Sequence, residues 1–338
     1  MKKGILKKAI IITVIINVII FLAVGAKITF EKSKEAIVKQ IGQNFQIPKF
    51  PGAGGGFGIY NERKPTCADS SDYHGQLIYA RPADSADRFL EVSPKLKKWL
   101  SEANGILNTE AERFKVTADL KMVCLGGEVK AENVVLPKAR NFYDLSADTN
   151  QAVITDLMKL GYSDKKTKYI VWFDGDGNAS GCGGSVCISQ ASKKGPDDKL
   201  SEDNIFNIGP DFALLFKIED SKVSQFGTNA DMLIPIAMLH EYAHTMGALQ
   251  QSAPHSTKKE KPGVHCTDTQ PIGQGGTDIM CKSDAKGEVF GNECPGMYPF
   301  RFDCNNDDYF NPKPEPGSYL ATHWNLGSSL NRFIQFSE

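Results

Sequence analysis

The chain has little histidine and no excess of charge of either sign, and both scarcities narrow what it can be. Lysine and arginine number 39 against 40 aspartates and glutamates, so the basic footprint that nucleic-acid binding requires is missing. None of the eight cysteines belongs to a CxxC pair, which removes a structural zinc site built on that spacing. The glycine-rich stretch 48–58 has no lysine-serine after it and no strand before it, so it is no phosphate loop. No internal repeat is present. With only six histidines in the chain, a regular spacing among them has little chance of arising by accident.

Such a spacing is there. His240-Glu241-Tyr242-Ala243-His244 is an HExxH string, and Gly247 extends it to HExxHxxG. Histidines at i and i+4 share one helix face, one turn apart, where both imidazoles reach the same tetrahedral ion. Glu241, beside the first of them, is the carboxylate that acts as general base on a zinc-bound water. The apolar segment 231–239 predicts a helix leading into the motif, with Pro235 in its first turn. Ile236, Leu239, Ala243 and Met246 make the buried stripe, and Gly247 ends the helix in a left-handed conformation.

HExxHxxG resembles the signature of the metzincin zinc peptidases. The longer string through Gln250, Ala253-Pro254-His255, Val264-His265-Cys266 and Asp278-Ile279-Met280-Cys281 resembles a secreted bacterial metzincin-like group. Arg301-Phe302-Asp303-Cys304 and Gly317-Ser318-Tyr319 are similar to that group as well. The resemblance implies a zinc endopeptidase with Met280 as the methionine of a turn beneath the metal. It also implies a third ligand three residues after Gly247, but that position is Gln250, a departure from the clan.

From the residues themselves, His265 is the first choice for the third ligand, since it comes after the turn and stands beside Cys266. Asp268 and His255 are the alternatives. Gln250 has a weakly ligating amide oxygen, and its other reading is a side chain that satisfies backbone groups in the turn. His74 and His323 are read as structural or exposed. The expected site is therefore Zn2+ on His240, His244 and His265, with Glu241 as the catalytic residue. A non-catalytic surface protein on the same fold, binding a partner or glycan, and a zinc hydrolase of cell-wall amides are the competing functions.

The N-terminus sets the compartment. Lys2, Lys3, Lys7 and Lys8 precede an apolar run at 9–26, broken only by Thr13 and Asn17. That length is at the lower limit for a bilayer span, and the basic flank stays inside. The expected layout is a cytoplasmic tail at 1–8, a transmembrane anchor at 9–26 (alternatively a cleaved signal), a stalk and Gly/Pro-rich linker at 27–66, and an extracytoplasmic domain at 67–338. All eight cysteines come after the apolar run, as disulfides in an exported chain would. Cys67 with Cys124, Cys182 with Cys187, Cys266 with Cys281 and Cys294 with Cys304 are compatible pairs, though connectivity stays open.

Within the domain, 77–80 and 168–173 read as strands, the second central. Segments 94–103 and 151–160 read as helices, with Asp148 or Thr149 capping the second. This predicts an α+β fold, a mixed sheet with packed helices and then a loop-rich, disulfide-bonded C-terminal half. Asp174-Gly175-Asp176-Gly177-Asn178 resembles the start of a calcium loop but has Ser185 where the closing glutamate belongs, so a polar turn is preferred. Asn305-Asn306-Asp307-Asp308 is a second acidic stretch without support for calcium. The expected partners are a protein or peptide substrate and the membrane, with the protein a monomer that binds no nucleic acid.

Overall fold

The structure is a computed structural model, and it describes residues 61–175, 189–192, 194–217, 230–256, 265–266, 277–281 and 300–338. The elements run β1 (Thr66–Ala68), β2 (His74–Arg81), α1 (Phe89–Glu112), β3 (Thr117–Leu125), β4 (Glu128–Val129), β5 (Ala131–Val135), α2 (Arg140–Asp144), α3 (Thr149–Lys159), β6 (Thr167–Phe173), β7 (Ser189–Ala191), β8 (Asp211–Phe216), α4 (Ala230–Thr245), β9 (Thr277–Asp278), β10 (Phe300–Arg301) and β11 (Ile334–Ser337).

The main sheet has the order β1-β3-β2-β6-β8-β7. Its centre is parallel: β2 pairs with β6 from His74↔Thr167 to Ala80↔Phe173, and β6 with β8 from Lys168↔Asp211 to Phe173↔Phe216. β7 lies antiparallel to β8, and β11 antiparallel to β3, so the sheet is mixed as expected. Every residue of β6 and β8 is buried. Continuous apolar runs of this kind are what a strand covered on both faces requires.

One face of the sheet carries Ile78, Ala80, Val171, Phe173, Leu214 and Phe216, packed with Tyr143 of α2 and Val153, Ile154 and Leu157 of α3. The opposite face carries α1 and α4. There Trp99 of α1 lies 5.4 Å from Trp172 of β6 between ring centroids, and α4 packs on β8 and β7. Each large aliphatic or aromatic side chain so buried contributes about 1.5–3 kcal/mol. The closeness of α4 to the sheet shows at Gly75, where a Cβ would meet the Tyr242 hydroxyl at 2.7 Å.

Several local expectations need correcting. The helix expected at 94–103 is α1, more than twice as long. Its buried residues Val92, Leu96, Trp99, Leu100, Ala103, Ile106, Leu107 and Ala111 recur at helical spacing beyond both expected ends, and tertiary burial carries it past Pro94. Pro235 lies inside α4 rather than in a first turn, since the helix already includes Ala230. The expected buried stripe is found, but 234–239 and 241–243 are buried as well, so the helix is covered on most sides. Asp148, not Thr149, caps α3, accepting from Gln151 N at 3.0 Å. Between the two expected helices, where the sequence order calls for one strand, lie β3, β4 and β5, and β8 falls on a segment for which no strand is read.

Two of the anticipated disulfides are described, Cys67–Cys124 and Cys266–Cys281. Cys304 is also disulfide-bonded, while Cys182, Cys187 and Cys294 lie outside the described residues. Of the calcium-like string only Asp174 and Gly175 are described. Asp174 accepts from the Tyr79 hydroxyl at 2.6 Å and pairs with Arg88 at 3.2 Å, so its carboxylate is a core anchor at the end of β6. The apolar run at 9–26 and the stalk up to 60 lie outside the described residues. Among the described residues no helix is long and apolar enough to cross a membrane.

Candidate metal centre

Helix α4 carries His240, Glu241 and His244, and the turn at its C-terminal end shapes the site. Gly247 takes φ +97°. Its N–H bonds the His244 carbonyl at 3.1 Å, and the Ala248 N–H bonds the Ala243 carbonyl at 3.0 Å. These two bonds form a Schellman C-cap, which calls for glycine at this position. The chain turns sharply, and the Ala248 carbonyl comes back to the His244 ring, 2.6 Å from Nδ1. His240 Nδ1 has an equivalent partner in the Ile279 carbonyl at 2.6 Å.

Those two carbonyls fix the tautomers. A carbonyl accepts only, so each Nδ1 carries the proton and each Nε2 presents a lone pair. The lone pairs converge. His265 Nε2 lies 3.2 Å from His244 Nε2 and 3.3 Å from His240 Nε2, and the three rings offer ligand atoms within 4.8 Å of one another. Zinc–nitrogen bonds of about 2.05 Å at the tetrahedral angle place two nitrogens about 3.3 Å apart. The spacing fits a zinc ion, and neutral imidazole is the donor zinc prefers.

His265 stands against His240 and His244, its Nε2 beside theirs. It is buried, and its neighbour Cys266 is bonded to Cys281. Gln250 does not join them: its Nε2 donates to the Gly247 carbonyl at 2.8 Å, and its Oε1 accepts from Asp197 N at 3.2 Å. It serves the turn. His255 lies elsewhere, its ring paired with Asp308 at 3.0 Å and near Asp307 at 3.7 Å. Both Asp308 oxygens are engaged by His255, one through its backbone N–H. Asp268 lies outside the described residues. His74 is buried against Thr167, and His323 stacks on Tyr319.

Glu241 is buried, with Oε1 3.9 Å from His240 Nε2. It accepts from the Ser189 hydroxyl at 2.7 Å. Ser189 opens β7, the strand at the end of the sheet path, and its contact with the carboxylate has no motif to announce it. Met280 is fully buried, its N–H donating to Asp278 Oδ1 at 2.7 Å. Burial raises the pKa of Asp278, opposed by the donors Tyr309, Met280 N and Cys304 N. Burial likewise raises Asp303, next to Asp278 and Asp308. Asp303 faces the backbone N–H groups of Tyr309 at 2.6 Å and Phe310 at 2.5 Å, which makes it a loop-folding carboxylate rather than a cation ligand. The carbonyls of Ile279 and Ala248 also escaped the sequence reading, because a backbone acceptor has no residue type.

No family model matches the chain, and no curated protein matches it. Among solved structures it is similar to wild-type OgpA from Akkermansia muciniphila, at 13% identity and TM-score 0.36, over 72% of this chain and 60% of that one. It is similar to catalytically inactive OgpA from the same organism in complex with an O-glycopeptide substrate, glycodrosocin, at 12% identity and TM-score 0.38, over 73% and 60%. Archaemetzincin from Methanopyrus kandleri is similar at 14% identity and TM-score 0.33, over 64% and 85%. The chain thus spans less than two thirds of the length of OgpA, and likenesses this distant say nothing about its reaction.

Proposed function

We propose that the chain is an extracytoplasmic zinc-dependent endopeptidase of metzincin-like type, with His240, His244 and His265 holding the metal and Glu241 as the catalytic residue. The observation that carries this is the convergence of three Nε2 atoms at zinc spacing. Two of the three rings are held in the ligating tautomer by carbonyls. When bound, a zinc ion supplies Lewis acidity and brings the pKa of a bound water toward 7. Glu241 accepts the proton of the attacking water and returns it to the leaving nitrogen. The Ser189 hydroxyl holds Oε1 of Glu241, the oxygen 3.9 Å from His240 Nε2.

The sheet supports a peptide substrate. Among the described residues β7 ends the strand order, and an extended peptide pairs with a strand at a sheet edge through main-chain bonds. That edge adjoins Glu241. The lysine-flanked run at 9–26 and the disulfides Cys67–Cys124 and Cys266–Cys281, which persist in oxidising surroundings, support the extracytoplasmic compartment. The domain at 67–338 is then the part beyond the membrane.

The test is zinc content and cleavage of a mixed peptide library by the full-length chain and its Glu241→Gln variant. Glu241→Gln should keep its zinc and lose hydrolysis by about 10²- to 10⁴-fold, the usual weight of a general base. Cleavage at the parent rate by the variant would overturn the assignment, as would a parent protein free of zinc.

A further inference from the structure

We propose that Asp278 is the positioning residue of the metal centre: its buried carboxylate folds the turn 278–281 so that one carbonyl of the turn orients His240 and the next anchors the residue beside His265. This rests on the reading of the three histidines as metal ligands. Asp278 is 2% exposed. Its Oδ1 accepts from Met280 N at 2.7 Å and from the Tyr309 hydroxyl at 2.7 Å, and its Oδ2 accepts from Cys304 N at 2.8 Å. The bond to Met280 N, two residues on, is an Asx turn, in which a side chain replaces a backbone acceptor.

The turn has two outputs. The Ile279 carbonyl meets His240 Nδ1 at 2.6 Å, and the Met280 carbonyl accepts from Cys266 N at 3.1 Å. Cys266 is next to His265 and is bonded to Cys281 at the other end of the turn. One carboxylate thus governs two ligands that lie on different segments. The turn is also tied outward: Ile279 N donates to the Arg301 carbonyl at 3.0 Å, and the Arg301 guanidinium grips Glu110 of α1 at 2.7 and 2.6 Å. Without the carboxylate, the N–H groups of Met280 and Cys304 lose their acceptor, the turn keeps only its backbone bonds, among them Cys281 N to the Asp278 carbonyl at 3.2 Å, and the Ile279 carbonyl is held less firmly on the imidazole. Partners that fix a ligating histidine in this way set both its tautomer and its affinity.

The experiment measures Zn2+ affinity by competition, and the absorption spectrum with Co2+, in the full-length chain. The variants are Asp278→Ala, Asp278→Asn and Asp156→Asn. Asp156 is a buried carboxylate on α3, bonded to the Tyr143 hydroxyl at 2.9 Å on the far face of the sheet, and it controls for lost stability alone. Asp278→Ala should weaken Zn2+ by about 10- to 100-fold, as loss of an outer partner does, and alter the Co2+ spectrum. Asp278→Asn, which keeps an oxygen for Met280 N, should recover part of that loss, and Asp156→Asn should leave affinity unchanged. Parent affinity in Asp278→Ala, or an equal loss in Asp156→Asn, overturns the proposal. If the parent chain takes up no zinc, the ligand reading fails, and the positioning role is decided by imidazole nitrogen shifts of the metal-free chain. A His240 Nδ1–H tautomer in the parent and its loss in Asp278→Ala support it, and identical shifts overturn it.

Discussion

His265 and Gln250 divide between them what a single histidine does in the sequence pattern this chain resembles. Gln250 stands at the expected ligand position, and both ends of its amide are engaged, Nε2 by the turn after α4 and Oε1 by Asp197 N. His265 takes the place beside the other two rings. His265→Ala should therefore weaken zinc binding by more than the about 10- to 100-fold typical of an outer partner. Gln250→Ala should leave the three nitrogens in place and lower stability instead, by about 1–3 kcal/mol for the buried groups it leaves unsatisfied. Zinc titration and thermal melting of the two variants separate the roles. Equal zinc loss in both would return Gln250 to the ligand set.

At the scale of elements, the site depends on how α4 stops. Gly247 has φ +97°, and a Cβ there would also meet Trp324 Nε1 at 2.7 Å and the Phe206 ring at 2.8 Å. Gly247→Ala adds a left-handed alanine, about 1–3 kcal/mol of strain, to a steric clash. It should lower the melting temperature and, by moving the Ala248 carbonyl off His244, weaken zinc as well. A melting temperature equal to the parent's would show that the cap is dispensable. This helix was legible in advance because its signals are local: an apolar run, the HExxH spacing and a terminal glycine. α1 was legible only in its middle, since its length comes from burial against β3 and α4. β8 has no counterpart in the sequence reading because it is a short apolar run with no period. Within the site, the two imidazoles and Glu241 come from spacing alone. The carbonyls that orient those rings, and Ser189 beside Glu241, belong to contacts no string of residue types encodes.

Across the whole molecule, the sheet and the metal helix are locked together by one buried cation. Lys168 of β6 is fully enclosed, with Nζ 2.5 Å from Asp211 of β8 and 2.6 Å from the Thr245 carbonyl at the end of α4. A cation there complements the helix dipole. Burial nevertheless lowers its pKa to about 8, against an ordinary 10.5. Between those values the unfolded chain holds more proton than the folded one, so the contribution of Lys168 to stability rises as pH increases from 8 to 10.5. Urea midpoints from neutral pH upward should show this slope in the parent and its absence in Lys168→Met, and parallel curves would refute it. The mixed sheet and its central strand were foreseeable from apolar runs, whereas this lysine, sitting in one of those runs, gave no sign of its partners.

The pairing of β11 with β3 has a kinetic consequence. Thr117 and Ser337, which face each other in that ladder, are separated by 220 positions. Contacts of such separation form slowly, because the entropy of closing the loop must be met before the ladder offsets it. During synthesis, residues 117–120 of β3 lack this partner until 334–337 has been made. Through that interval the Cys67–Cys124 bond, which closes a loop of sequence separation 57, holds β1 against β3.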